Sequence, residues 1–66
     1  MPSTAIKSFH YNAAQSTLRV IFISGMIYDY KDVPEEVYQA MKSAQSKGAY
    51  LNQYIKNNYE FIKVNQ

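Results

Sequence analysis

Residues 25–38 bring a strand and a helix together with almost no chain between them. Tyr28 and Tyr30 stand two residues apart, the spacing that puts both side chains on one face of a strand. Asp32 is then a predicted helix cap and Pro34 a first-turn residue, followed by acids where the helix dipole favours them. We therefore expect a sheet with a helix packed against it.

Two more strands precede this one. Residues 17–22 alternate in the manner of a strand with one apolar face. Residues 6–11 suit a half-buried strand, but Ile6 has the opposite parity to Phe9 and Tyr11. Either a bulge lies between them or one of the three side chains faces outward.

The turn after the second strand decides which side chains share a face, because a slip of one residue moves all of them. A two-residue loop would bury two charged side chains and set both tyrosines on the open face, where they could stack unpaired bases. A three-residue loop with Gly25 as its left-handed residue buries no charge and places Arg19 opposite Asp29. We predict the three-residue loop, with an apolar face made of Leu18, Val20, Phe22, Met26, Tyr28 and Tyr30.

The rest of the chain predicts two helices and an apolar tail. The first helix has its predicted buried stripe at Val37, Ala40, Met41 and Ala44. Ser46 is the predicted cap of the second helix, which runs to about residue 57 and turns Leu51 and Ile55 toward the core. The apolar tail is expected to pack back on the domain through Tyr59, Phe61, Ile62 and Val64. The predicted fold is one α+β domain over residues 1–66, a three-stranded antiparallel sheet followed by two helices on one face (βββαα).

Composition excludes several classes of protein. A chain of 66 residues buries little surface, and without Cys no disulfide or cysteine-containing zinc site can add stability. One His and five acids, mostly at turns and helix starts, cannot assemble a catalytic set or a metal site, so we predict a protein that is not an enzyme and needs no cofactor. No apolar run approaches the roughly 18 residues of a membrane span, and residues 1–11 lack the features of a signal peptide. We expect a cytoplasmic protein.

Residues spread over most of the chain carry a resemblance to a known family. They are Pro2-Ser3, Leu18, Val20, Phe22, Gly25, Tyr28-Asp29-Tyr30, Val33-Pro34, Val37-Tyr38, Ser46-Lys47-Gly48, Asn52 and Ile55. In this order they resemble the KTSC domain, a family of about sixty residues found alone in bacteria and phages and at the C-terminus of some lysyl-tRNA synthetases. The family has no established function. Its association with a tRNA synthetase implies RNA, such as tRNA, as a partner.

The start of the second helix is the candidate site for such a partner. Ser46, Lys47 and Gly48 offer free backbone N–H groups, a close approach and a positive charge, which suit a phosphate. Lys47, Tyr50 and Tyr54 then lie along one helical stripe, and Lys56 adds a second cation. Such residues are more often a cap, a solvated lysine and the flank of a core. The predicted nucleic-acid-binding set is Ser46, Lys47, Gly48, Tyr50, Tyr54 and Lys56.

The open face of the sheet is the alternative site. Ile21 and Ile27 are predicted to be displayed there, apolar enough to invite a protein partner or a second copy of the chain. Arg19 and Asp29 would set the register of that contact. The two hypotheses differ in their response to salt, because phosphate-driven binding weakens steeply with ionic strength and apolar association does not.

Overall fold

The sheet is a meander of four antiparallel strands in the order β1-β2-β3-β4. The computed structural model describes residues 6–64. The strands are β1 (Ile6–Asn12), β2 (Thr17–Phe22), β3 (Ile27–Tyr30) and β4 (Phe61–Val64). Between β3 and β4 lie α1 (Glu35–Ser43), α2 (Lys47–Tyr50) and a π-helical segment (Leu51–Ile55) that continues α2 without a break.

The fourth strand corrects the predicted βββαα order to βββααβ. The tail returns to the domain as expected, but it does so by pairing with β3, with Phe61 opposite Tyr30 and Val64 opposite Ile27. Phe61 and Ile62 stay about half exposed, contrary to the expectation that the tail buries its apolar side chains. The backbone N–H of Lys31 donates to the carbonyl of Glu60 at 2.8 Å and starts this ladder. A four-residue strand gives too short a pattern to be separated from an irregular tail by periodicity alone, so only the pairing reveals it.

The predicted three-residue loop between β2 and β3 is confirmed. Arg19 lies opposite Asp29, and Val20 opposite Tyr28. Gly25 has φ of 97°, and its N–H donates to the carbonyl of Phe22 at 2.8 Å. The turn therefore sets one apolar face, as the burial argument required.

We expect Gly25→Ala to lower the free energy of unfolding by about 1–2 kcal/mol, because an L-residue is strained at positive φ. A methyl group at this position meets open space, so the cost comes from the backbone alone. Urea unfolding of the variant measures it, with Ser24→Ala as a control in the same exposed loop. Equal unfolding midpoints for the two variants would contradict the strain.

The first strand contains the bulge that the parity of its apolar residues suggested. Ile6 pairs with Phe22 while Ser8 pairs with Ile21, so two steps along β1 match one step along β2. The irregularity brings Ile6 onto the same face as Phe9 and Tyr11, which pack against the core with it.

The entry to α1 differs from the prediction that Asp32 caps it. Pro34 occupies the cap position without a side-chain hydrogen bond, and Asp32 has φ of 58° in the preceding turn. Val33 anchors this turn instead. Its N–H donates to the carbonyl of Ser16 at 2.8 Å, and its carbonyl accepts the Tyr11 hydroxyl at 2.6 Å. Tertiary contacts, and not a local cap, therefore position the helix.

The core lies between the sheet and the helices. Its most deeply buried members are Leu18, Val20, Tyr30, Val33, Met41, Leu51 and Ile55. Burial raises the pKa of the Tyr30 hydroxyl. Phe22 of the predicted apolar face is only partly buried, and Ala40 of the predicted helix stripe is exposed. Tyr38 takes the place of Ala40, since its ring stacks on Tyr11 at 4.9 Å.

Candidate functional site

The start of α2 uses its polar groups within the domain. Ser46 is the helix cap that the sequence predicted, because its Oγ accepts the N–H of Ala49 at 3.2 Å. Lys47 is partly buried, and its Nζ donates to the carbonyl of Ala44 at 2.8 Å, closing the end of α1. The residues of the predicted phosphate cradle therefore join two helices. Lys47 keeps two ammonium protons for other acceptors.

The two tyrosines of the predicted stripe form a pair. The ring centroids of Tyr50 and Tyr54 are 4.8 Å apart at an interplanar angle of 39°. Tyr50 packs against the core, whereas Tyr54 is 51% exposed. A partly buried ring thus supports an exposed one, which presents a preformed aromatic surface to solvent. Lys56, at the end of the π-helical segment, is exposed.

Charge on the helical layer has one sign over a long stretch. From residue 37 to residue 59 the chain has no Asp or Glu, and it carries Lys42, Lys47 and Lys56. Lys42 lies over the ring of Tyr38, 5.4 Å from its centroid. Lys42 is an addition to the predicted set. The absence of acids over this stretch is a signal that was available in the sequence. We call the solvent-exposed side chains of this stretch the acid-free surface.

The open face of the sheet carries the predicted pair of opposite charges. The Nε and Nη2 atoms of Arg19 donate to the two carboxylate oxygens of Asp29 at 2.8 and 3.0 Å. This hydrogen bonding lowers the pKa of the Asp29 carboxyl and raises the pKa of the Arg19 guanidinium. Because each charge is already neutralised by the other, this ion pair supports the register of β2 against β3 within the domain.

The apolar part of this face differs from the prediction. Ile27 is 8% exposed and is flanked across the strands by Ile21 and Val64, so it is not available to a partner. Ile21 is partly exposed. Ile62 of β4, which lies opposite Asp29, is the accessible residue at 55% exposure. The unpredicted fourth strand thus both covers Ile27 and supplies a new exposed side chain.

A shallow polar pocket of about 270 Å³ lies at the other end of the open face. Its lining is His10, Tyr11, Asn12, Gln15, Thr17, Arg19 and Asp29. The Thr17 hydroxyl donates to the Gln15 carbonyl at 3.2 Å, and the one carboxylate is paired with Arg19. Within residues 6–64 no three His, Asp or Glu side chains come together in a way that could hold a metal ion. No helix in the same part of the chain could cross a membrane.

These features define a small α+β domain built as a β-meander with a helical layer on one face and the other face open. A family model of the KTSC domain matches residues 2–59. The chain belongs to the KTSC domain family.

Relatives of the chain include both free-standing and fused domains. It is 37% identical over 65 residues to an uncharacterized protein of Stutzerimonas stutzeri, covering 97% of this chain and 92% of that protein. It is 38% identical over 61 residues to a lysine–tRNA ligase of Nostoc punctiforme, covering 92% of this chain. The chain spans only 11% of that ligase. The crystal structure of a KTSC domain protein from Yersinia pestis matches it with a TM-score of 0.87 and 32% identity, over 98% of this chain and 92% of that one.

Proposed function

We propose that this domain binds RNA by stacking an unpaired base on Tyr54 and placing the RNA backbone along the acid-free surface. The half-exposed ring of Tyr54, held from behind by Tyr50, is the observation that carries the proposal. Aromatic side chains on basic surfaces bind single-stranded nucleic acid without requiring a particular sequence. Proteins also recognise structured RNA mainly through unpaired bases in loops and ends.

Charge supports the same surface. Lys42, Lys47 and Lys56 belong to a stretch without a single acid, whereas the remaining four basic residues share the rest of the chain with all five acids. A polyanion would meet no like charge from residue 37 to residue 59. Lys47 contributes its charge and its two remaining protons, while Ser46 and Gly48 act by shaping the junction of the helices.

The kind of relative that carries a matching segment points the same way. The ligase of Nostoc punctiforme is a lysine–tRNA ligase by name, and a domain joined to such an enzyme shares its polypeptide with a tRNA-handling machine. Carrying RNA binding over to this chain is a fold-level analogy. The exposed aromatic ring and the lysines of the acid-free surface support this analogy, because they are groups that can bind RNA.

Fluorescence anisotropy of a labelled single-stranded RNA, titrated with the domain at several salt concentrations, tests the aromatic part of the proposal. Tyr54→Ala should weaken binding by about 1–3 kcal/mol, the contribution of one stacked base, or about five- to 150-fold. Tyr54→Phe keeps the ring and should bind like the parent. Equal RNA affinities for Tyr54→Ala and Tyr54→Phe would contradict base stacking on Tyr54.

The electrostatic part is tested with a matched pair of charge reversals. Lys56→Glu should weaken binding and lower the slope of log affinity against log salt by about 1, as expected when one phosphate contact is lost. Lys7→Glu changes the net charge equally on an exposed position of β1 and should leave the slope unchanged. A parent protein that does not bind RNA at low salt, or equal effects of the two reversals, would contradict the proposal.

A further inference from the structure

Among the described residues, β4 is an end strand of the sheet, paired only with β3. It is also rich in exposed apolar surface, since Phe61 is 46% and Ile62 55% exposed. The other end strand, β1, has a bulge and exposed Lys7 and His10, which are devices that discourage strand pairing. β4 has no bulge and one charged residue, Lys63. Of the two edges, β4 is therefore the one suited to accept another strand.

The hydrogen bonds to β3 show which backbone groups of β4 point outward. In an antiparallel ladder, alternate residues direct both their N–H and their C=O groups toward the same neighbour. Since Lys31 donates to the carbonyl of Glu60, the groups of Glu60, Ile62 and Val64 face β3. The N–H and C=O groups of Phe61 and Lys63 consequently project from the free edge.

We propose that two copies of this chain associate by antiparallel pairing of their β4 strands about a two-fold axis at Ile62, forming one continuous eight-stranded sheet. This register pairs Phe61 of each copy with Lys63 of the other. Both residues have outward backbone groups, so each pair exchanges two N–H···O bonds. Ile62 then lies opposite Ile62 of the second copy on the open face, at the closer, non-hydrogen-bonded position where side chains pack most tightly.

Charge favours the register with its two-fold axis at Ile62 over the register with the axis at Lys63. With the two-fold axis at Lys63, the lysines of the two copies would lie directly opposite each other, which is unfavourable. With the axis at Ile62, each Lys63 ammonium lies beside the exposed ring of Phe61 in the second copy, where a cation–π contact is favourable. The ring is already stacked on Tyr28 at 4.6 Å, so it is held in place for that contact. The partner that best pairs with the free edge of β4 is therefore the β4 strand of a second copy of the chain.

Sedimentation of the RNA-free protein over a wide range of concentration tests the proposal. A contact of four residues per copy buries less than a standard interface, so the dimer should be weak and concentration-dependent. The apparent mass of the parent should rise from 7.6 kDa toward twice that value. Ile62→Lys should stay at the mass of one chain, because it sets two like charges opposite each other. Ile23→Lys adds the same charge at a turn residue that is 68% exposed, and it should associate like the parent.

A second variant tests the backbone pairing directly. Lys63→Pro removes an N–H that points away from β3, so the fold should survive while association is lost. Lys63→Ala, which keeps that N–H, should still associate. A parent that stays a single chain at every concentration, or association that survives both Ile62→Lys and Lys63→Pro, would overturn the proposal. If Ile21→Lys loses association while Ile62→Lys still associates, the proposal is overturned in favour of contact through the open face.

Discussion

Replacing Tyr30 with alanine is expected to lower the free energy of unfolding by about 3–5 kcal/mol, the usual cost of removing a large aromatic side chain from a core. A domain of this size has a total stability of only about 3–10 kcal/mol, at 0.05–0.15 kcal/mol per residue. Tyr30 has the largest side chain among the fully buried residues, and it lies between Leu18 of β2 and Phe61 of β4 in the sheet. Its loss therefore removes packing on both sides at once.

The position of Tyr30 adds a regional effect to the global one. Its ring centroid is 5.5 Å from that of Phe61, so alanine at this position removes a contact that holds β4 on the sheet. Amide hydrogen exchange should show faster opening at residues 61–64 than in β1 and β2. Urea unfolding followed by circular dichroism gives the global cost.

Tyr54→Ala is the matched control, since it removes the same side chain from an exposed position. It should change stability by less than about 0.5 kcal/mol beyond the loss of its contact with Tyr50. Tyr30→Phe keeps the ring and should retain most of the stability. Similar unfolding midpoints for Tyr30→Ala and Tyr54→Ala would refute the central place of Tyr30 in the core.

Leu51→Ala should be the second most damaging change, at a cost of about 2–5 kcal/mol. Leu51 is fully buried at the first position of the π-helical segment, and its carbonyl accepts the N–H of Lys56 at 2.8 Å. Among residues 6–64, it is one of three fully buried residues that the helical layer contributes to the core, with Met41 and Ile55, and α2 itself contributes none. Alanine would leave a cavity that a domain with so few core residues cannot fill by rearrangement.

Ile23→Ala serves as the control for Leu51→Ala, since it truncates an aliphatic side chain that is 68% exposed. If Leu51→Ala does not fold, Ile55→Val gives a milder test in the same segment, with an expected loss of about 0.5–1.5 kcal/mol. Chemical denaturation should show the largest loss of stability for Leu51→Ala, a smaller loss for Ile55→Val and the smallest for Ile23→Ala. A Leu51→Ala protein as stable as Ile23→Ala would show that the helical layer is held elsewhere.

Phe22 illustrates why a strand pattern ranks core residues imperfectly. By parity it belongs with Leu18 and Val20, and the structure does place it on their face, packed against the core. However, it stands at the end of β2, beside the turn, and is only partly buried, packing edge-to-face on Tyr28 at 5.2 Å. Periodicity identifies the face of a strand. How far the covering helices extend along that face depends on their packing.

The candidate site shows the same division. Exposed Tyr54 and Lys56, and the stretch without acids around them, follow from residue types and helical spacing. The hydrogen bond from Lys47 to the carbonyl of Ala44 does not, because it depends on how the chain turns between two helices. Sequence reasoning could name the cations of the surface. It could not tell which of them already had an acceptor.

Local rules were sufficient for the first three strands of this protein. The turn at Gly25 and the opposition of Arg19 and Asp29 were predicted from the sequence, because a buried face and a tight turn favour one register. The bulge in β1 was one of two alternatives that the sequence left open, and the pairing with β2 decided between them. The cap at Ser46 follows from local chemistry as well. These interactions join residues that are close in the chain or directly paired across a hairpin.

Only the tertiary structure decided the role of the chain after residue 59. Phe61–Val64 becomes a strand because β3 offers it an unpaired edge more than thirty residues away in sequence, and no periodicity within four residues could specify that pairing. The same event covers Ile27, exposes Ile62 and moves the free edge of the sheet to β4. The strand that the sequence pattern did not reveal thus determines which surface remains open to a partner.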